Sequence, residues 1–305
     1  MNKYITAIVI LLGCFAYIFF SNESGSARVF VNLITFAGVY GLAAIGINVH
    51  FGWTGLLNFG HAAFMGIGAY TTVLLIPHSL GREGVVISTG LPLPVAVIVG
   101  LIASALLGLL LGLPTLRLRG DYLAIVTIAA AEIFRLLVRD FEDLTGGVYG
   151  IIQFSDSLQD YRPNFIDQVS QTYDVSSAQL WVALLTWVAM AFVLVILWRL
   201  QKSPWGRALR AVREDEEAVR ALGKNAVWLK LQSFMLGASI GGLSGIFLVF
   251  NYGTVQASTF VPVLTFYIWA ALILGGVGSL GGPALGAIIF WVIYRWHRQS
   301  FKIII

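Results

Sequence analysis

The sequence predicts an all-α fold, a polytopic transmembrane helix bundle of about eight to ten spans with broken or re-entrant helices. Three observations carry that expectation. Hydrophobic residues make up 58% of the 305 residues and charged residues 11%, against about 25% charged in an ordinary soluble domain. Mean hydropathy is +0.84, and several apolar stretches approach or exceed the ~20 residues that a spanning helix needs. The apolar runs are continuous rather than alternating, which excludes a transmembrane barrel. The 33 glycines suit helices whose backbones approach closely. The whole chain, 1–305, reads as one transmembrane domain.

Taken in order, the first expected span is 4–20. Lys3 followed by an apolar run imitates a signal peptide, but the run is long and no small-x-small cleavage site follows closely, so a retained helix is expected. Cys14 lies within it; a single cysteine makes no internal disulfide, and no Cys/His spacing suggests a metal site. Further spans are expected at 29–50, 58–77, 91–113, 121–138, 178–199 and 229–250. A broken pair follows at 263–277 and 283–296. Loop charge sets the orientation. With the most charged loop inside, Lys3, Arg117 and Arg119 also fall inside and the N-terminus is cytoplasmic. The 78–90 loop, with Arg82 and Glu83 cancelling, the 139–177 loop and the uncharged 251–262 loop fall outside. Arg135 and Arg139 run against this bias. Arg295, His297, Arg298 and Lys302 fall outside if 263–296 makes two spans and inside if 263–282 is re-entrant. The ending "FKIII" resembles the start of another span.

The segment 200–228 stands apart. Ser203 to Lys230 holds ten of the chain's 34 charged residues. Ala208, Ala211, Val212, Ala218, Val219 and Leu222 recur at helical spacings, interrupted by Asp215, so a short amphipathic helix is expected. Ser203-Pro204 opens it and Gly223 closes it. Arg213 to Glu217 and Glu216 to Arg220 are i,i+4 pairs. A loop lying on lipid headgroups would explain the basic residues, but anionic lipid would repel Glu214-Asp215-Glu216-Glu217. A mixed-charge helix with a narrow apolar stripe suits a groove on a soluble partner. The chain has no G-x-x-x-x-G-K-[ST] motif, so any ATPase must be a separate subunit.

Other polar positions admit two readings each. Asn58, Gly60 and His61 follow the Gly-rich break "FGWTG"; they line a kinked entrance to a translocation path, or His61 caps the third helix at the interface. Glu132 and Arg135 are charges within an apolar run at i,i+3, a mutual ion pair or a path lining. Gly275, Gly276 and Gly278 break the eighth span, as a substrate-handling break or as a plain turn; without a Lys or a preceding strand they make no phosphate loop. Arg117, Arg119 and Asp121 anchor the inner face or touch the charged segment. The 139–177 loop, with Asp156, Asp160, Asp167, Asp174 and Arg162, is a solvated loop or a docking surface. No catalytic motif is found, so an enzyme is not expected.

"GLLNFGHAAFMGIGAYTTVLL" (55–75), "LPTLRLRGDYLAIVTIAAAEIFRLL" (113–137), "LTGGVYGI" (144–151), "SPWGRALRAVREDEEAVRALGKN" (203–225) and "LILGGVGSLGGPALGA" (272–287) occur in this order. Together they resemble the branched-chain amino acid ABC importer permeases, specifically the LivM type, over about 30–296. The resemblance implies a bacterial or archaeal inner-membrane permease that works with a homologous second permease subunit, two cytoplasmic ABC ATPases and an extracytoplasmic substrate-binding protein. It implies no cofactor bound by this chain, ATP being used by the partner subunits, and no nucleic-acid partner. It assigns ATPase coupling to Pro204, Gly206, Arg207, Arg210, Arg213, Glu214, Glu216, Glu217, Ala218 and Gly223. The tail departs from the family by lacking its usual last span. The rival readings are a permease for urea or short amides and an ion-coupled carrier; the second would show inverted repeats and more intramembrane carboxylates than Glu132.

Overall fold

A computed structural model describes residues 26–80, 86–87, 90–115 and 120–302. The expected first span with Lys3 and Cys14 lies outside the described residues, as do Arg82, Glu83, Arg117, Arg119 and the last three residues. The described elements are overwhelmingly helical. In order they are α1 (Ser26–Ile47), a π turn (Asn48–Gly52), α2 (His61–Leu75), β1 (His78–Leu80), β2 (Val86–Ile87), α3 (Leu93–Thr115) and α4 (Gly120–Asp140). Then come α5 (Glu142–Thr145), β3 (Ile151–Ile152), α6 (Asp156–Gln159), α7 (Asn164–Tyr173), α8 (Ser177–Lys202), α9 (Pro204–Glu214) and α10 (Glu216–Ala221). The series ends with α11 (Ala226–Tyr252), a 3-10 turn (Ala257–Phe260), α12 (Pro262–Gly275) and α13 (Gly282–Lys302).

Among the described residues, four helices are long and apolar enough to cross a membrane: Ala27–Gly52, Leu93–Pro114, Ser177–Lys202 and Ala226–Tyr252. Three shorter apolar helices accompany them, His61–Leu75, Pro262–Gly275 and Gly282–Arg295. The 14 residues of α12 rise about 21 Å, short of a ~30 Å hydrocarbon core. α12 instead folds back on α13. Tyr267 lies 5.8 Å from the rings of both Phe290 and Tyr294, and Gly286 backs onto Ala271 and Gly275. Those pairings make an antiparallel helical hairpin, which is how the expected broken pair is built.

α1 and α11 form the centre. Across the membrane window 83% of the α1 residues and 72% of the α11 residues are buried, against 28% in α3 and 33% in α8. Lipid is as apolar as leucine, so hydrophobicity cannot draw helices together here and close packing must. α3 shows the device. Ala96, Gly100, Ser104 and Gly108 recur every fourth residue and face α2 and α11. Gly100 rests on Gly68 and Thr72, and Gly108 rests on Ala238. Ser104 donates its hydroxyl to the carbonyls of Gly100 (2.9 Å) and Phe64 (3.2 Å).

Three loops meet at one end of the bundle, a feature the apolar pattern does not foretell. β1 pairs antiparallel with β2 (His78 opposite Ile87) and with β3 (Leu80 opposite Ile151). Ile151 and Val255 exchange both backbone hydrogen bonds at 2.9 Å. The loops that loop charge places on one side of the membrane thus share one end. The 139–177 loop is partly folded onto the bundle rather than wholly solvated: Ile151, Phe154, Leu158 and Ile166 are buried, and Trp181 donates to the Leu158 carbonyl at 3.1 Å.

Candidate coupling site at two helix breaks

α1 does not end cleanly. Its last turn widens to a π turn, Asn48–Gly52, and Gly55 takes a left-handed φ of +71°. Residues 55–60 run without helix until α2 begins at His61. Bare backbone in a membrane must be paired within the protein, and the neighbouring helices do so. The Phe59 N–H donates to Thr127 Oγ1 at 3.1 Å, the Ala62 N–H to Thr265 Oγ1 at 3.1 Å, and Trp269 Nε1 to the Asn58 carbonyl at 2.9 Å. Asn58 Oδ1 accepts the Gly60 N–H at 2.8 Å, which fixes the amide orientation and turns Asn58 Nδ2 toward His50 Nδ1 at 3.1 Å. That amide can only donate, so Nδ1 is bare and Nε2 carries the proton that goes to the Phe234 carbonyl at 2.8 Å.

His61 is not at an interface. It is fully buried, and Gly60, which has no side chain, occupies the helix-capping position. Its ring sits 5.8 Å from His50 and 6.0 Å from Phe64. Gly46 and Gly241 make room for it; a Cβ on either would lie 2.9 or 2.6 Å from the imidazole. Neither ring nitrogen has a hydrogen-bond partner among the described residues.

The second break joins α12 to α13. Gly276 and Gly278 adopt φ of +95° and +81°, conformations that suit glycine alone. Gly275 lies directly against Gly282, so a side chain there would collide with backbone. Asn48 ties this turn to the first break. It accepts the Gly278 N–H at 2.8 Å and donates Nδ2 to the Ser279 carbonyl at 2.8 Å. Asn48 is 3% exposed and its two partners are half-buried, so the bonds lie at the edge of the core.

The charged segment is two helices, not one. Ser203 caps α9, with Pro204 at its first position, and accepts the Gly206 N–H at 3.3 Å. Asp215 then breaks the helix in an extended conformation and caps α10 by accepting the Ala218 N–H at 3.0 Å. Gly223, at φ +74°, ends the segment, and Asn225 caps α11. Gly206 packs against Leu200 and Gln201, where a Cβ would overlap backbone. Arg207 and Arg210 donate to the carbonyls of Lys202 (3.0 Å) and Gln201 (3.1 Å), covering the end of α8. Arg213 does not pair with Glu217. It donates to the Gly52 carbonyl at 2.6 Å, and a Cβ on Gly278 would stand 3.2 Å from its Nη1. Arg213 therefore connects the charged segment to both helix breaks.

Glu216 pairs with Arg220 at 2.6 Å and also with Lys230 of α11. Burial works to raise its carboxyl, but the Lys230 ammonium and Arg220 guanidinium outweigh that and hold it below the usual carboxylate range. Glu214, Glu217, Ala218 and Leu222 are left on the outside, Leu222 with 80% of its surface exposed. Glu132 and Arg135 form a two-point ion pair, Arg135 Nε donating at 2.9 Å. The pair stands on the flank of α4 rather than in the break, and Glu132 keeps 37% of its side chain exposed. Asp121 lies in α4, whose sequence runs on from the undescribed 116–119.

A family model described as "Branched-chain amino acid transport system / permease component" matches residues 29–303, which includes both breaks and the charged segment. The chain belongs to this permease family. The permease is 35% identical over 283 residues to the high-affinity branched-chain amino acid transport system permease protein LivM of Salmonella typhimurium, covering 89% of this chain and 64% of that protein. It is 28% identical to the probable LivM of Methanocaldococcus jannaschii, covering 86% and 79%. It is 27% identical to LivH of Escherichia coli, covering 86% and 82%. The permease thus spans 64% of the length of the Salmonella LivM that it matches. No solved structure matches the chain. Its described helices suit a multi-pass membrane protein, and its relatives are bacterial and archaeal.

Asn48 and His50, central to the geometry, were not singled out by motif or spacing. Both are polar residues inside an apolar run, and that alone marks a position worth inspection.

Proposed function

We propose that this chain is the membrane-spanning subunit of an ATP-driven importer for branched-chain amino acids in a bacterial or archaeal plasma membrane. In this reading it pairs with a homologous permease, two ABC ATPases and an extracytoplasmic binding protein. The observation that carries the coupling part is the Arg213 bond to Gly52. A force on α9 and α10 from below reaches the unwound end of α1 through one charge-assisted hydrogen bond, and such bonds are the stronger kind. The charged segment 200–228 is then cytoplasmic, in agreement with loop charge. The exposed Glu214, Glu217, Ala218 and Leu222 are the face offered to the ATPase. The 139–177 loop lies on the far side, where exposed Tyr161, Phe165 and Tyr173 and neighbouring carboxylates suit a binding protein. Relatives named for branched-chain amino acid transport support the substrate class.

The test is a pull-down from mild-detergent membranes with Glu214→Ala/Glu217→Ala/Leu222→Ser, which leaves the Asp215 cap and the Glu216 pairs intact. A P-loop ATPase is expected with the parent and not with the variant, while both chains elute as folded species. If a folded, abundant parent brings down no ATPase, the importer reading fails and an ion-coupled carrier becomes the better one.

A further inference from the structure

We infer that Asn48 is a latch that holds the two helix breaks together, and that the charged segment opens and closes it through Arg213. The inference rests on the importer reading for the source of the movement but not for the latch itself. Its basis is that one side chain uses all the pairing it can reach. Its oxygen accepts from Gly278 and its nitrogen donates to Ser279, 230 and 231 residues away in sequence. These are the two residues at the tip of the α12–α13 turn. Among the described residues the turn has no comparable side-chain tie elsewhere: Ser279 Oγ bonds back to the Gly276 carbonyl within the same turn.

The surroundings leave Asn48 no slack. Gly52 lies four residues on, and its absent Cβ is what lets the Asn48 amide and the Gly278 N–H meet, a Cβ there standing 3.0 Å from that nitrogen. The π turn that starts at Asn48 admits the extra residue that brings Asn48 and Gly52 into this arrangement; π turns inside helices recur at functional positions. Arg213 holds the Gly52 carbonyl and stands beside Gly278. A displacement of α9 therefore moves Gly52 relative to Gly278, and the Asn48 bonds are the ones stretched. Broken, they leave the buried Asn48 amide unpaired, together with a half-buried N–H and a half-buried carbonyl, so the intermediate geometry is disfavoured and the junction has two positions rather than a continuum. Asn48 is a positioning residue; nothing places it against substrate.

The test uses the transporter purified from native membranes and reconstituted in proteoliposomes, with ATP hydrolysis and branched-chain amino acid uptake measured together. Asn48→Leu is close in size and removes both bonds. Asn48→Asp keeps acceptance from Gly278 and loses donation to Ser279. In Asn48→Leu the uptake per ATP hydrolysed is expected to fall at least about fivefold, in the range of ordinary coupling energies, with ATP hydrolysis retained. Asn48→Asp is expected to fall between it and the parent. A Ser279→Cys reporter supplies the readout that a purely structural role would not move: maleimide labelling should respond to trapped ATP in the Asn48 parent and lose that response in Asn48→Leu. If Asn48→Leu fails to fold, Asn48→Asp decides by the same two measurements. Folded variants with parental uptake per ATP and ATP-sensitive labelling overturn the latch. A parent whose uptake ignores ATP overturns the importer reading instead.

Discussion

The two helix breaks solve one problem in opposite ways. The first, between α1 and α2, is rich in side chains: Asn58, Thr127, Thr265 and Trp269 pair the unwound backbone, and His50 links the Asn58 amide to the Phe234 carbonyl of α11. The second, between α12 and α13, is almost bare. Glycines let the chain turn, the helix ends beside the turn meet at Gly275, Gly282 and Gly286 with no bulky side chain between them, and a borrowed asparagine seals the tip. A break pinned from three neighbouring helices resists movement, whereas a glycine turn held at one point moves when that point lets go. The contrast assigns rigidity to residues 58–62 of the first break and displacement to the junction of Gly52 with the second.

The largest expected effect breaks the second region outright. Gly286→Leu places a branched side chain where Ala271 and Gly275 already stand; overpacking of this kind costs about 1–3 kcal/mol, and a backbone obstacle puts it at the upper end. A thermal melt of the detergent-solubilised permease should show it, with Gly281→Leu, at a glycine facing open space, nearly unchanged as the control. Next, His50→Ala strips the first break of its centre, leaving the Asn58 amide and the Phe234 carbonyl unpaired and a small void behind. A loss of about 2–3 kcal/mol follows from the unpaired groups, and the same melt reads it. A smaller step is Thr127→Val, which keeps the shape and removes one partner from the Phe59 N–H, for about 1 kcal/mol. If Thr127→Val were as damaging as Gly286→Leu, the distinction between the two breaks would be wrong.

The smallest effect lies outside the membrane. Because the Glu216 carboxyl titrates lower in the folded chain than in the unfolded one, its ion pairs contribute fully above the usual carboxylate value. That contribution fades as pH falls through the depressed one. Glu216→Gln should therefore melt below the parent at neutral pH and converge with it in acid, by an amount no larger than a partly exposed pair supplies, at most about 1 kcal/mol. A gap that widens in acid would contradict the pairing.

Most of the helices could be read from the chain because their apolar runs are long and bounded by Gly, Pro and charge; 178–199 and 229–250 fall inside α8 and α11. The Glu132–Arg135 pair was legible for the same reason, being an i,i+3 contact within one helix. What escaped was long-range. His61 looks like an interfacial cap when only its flanking glycines are visible, and its burial comes from Gly46 on α1 and Gly241 on the distant α11. Arg213 has a local acidic neighbour at the right spacing, but the extended residue at Asp215 takes Glu217 out of register and Gly52 receives the guanidinium instead. The interruption of the apolar stripe at Asp215 was the visible sign of that split. The strands are two or three residues long, too short for any period to register.

The small ladder of β1, β2, β3 and Val255 ties together chain segments that leave α2, α4 and α11 and those that enter α3 and the 3-10 turn. Those helix ends are joined by backbone pairing. The charged segment enters α11 at its other end, 27 residues away, about 40 Å along the axis. A bundle laced by backbone strands at one rim and held by single side-chain bonds at the other, Arg213 to Gly52 among them, is built like a pair of tweezers: a small push near the lightly held tips is what its shape converts into work, and the stitched rim sets the pivot.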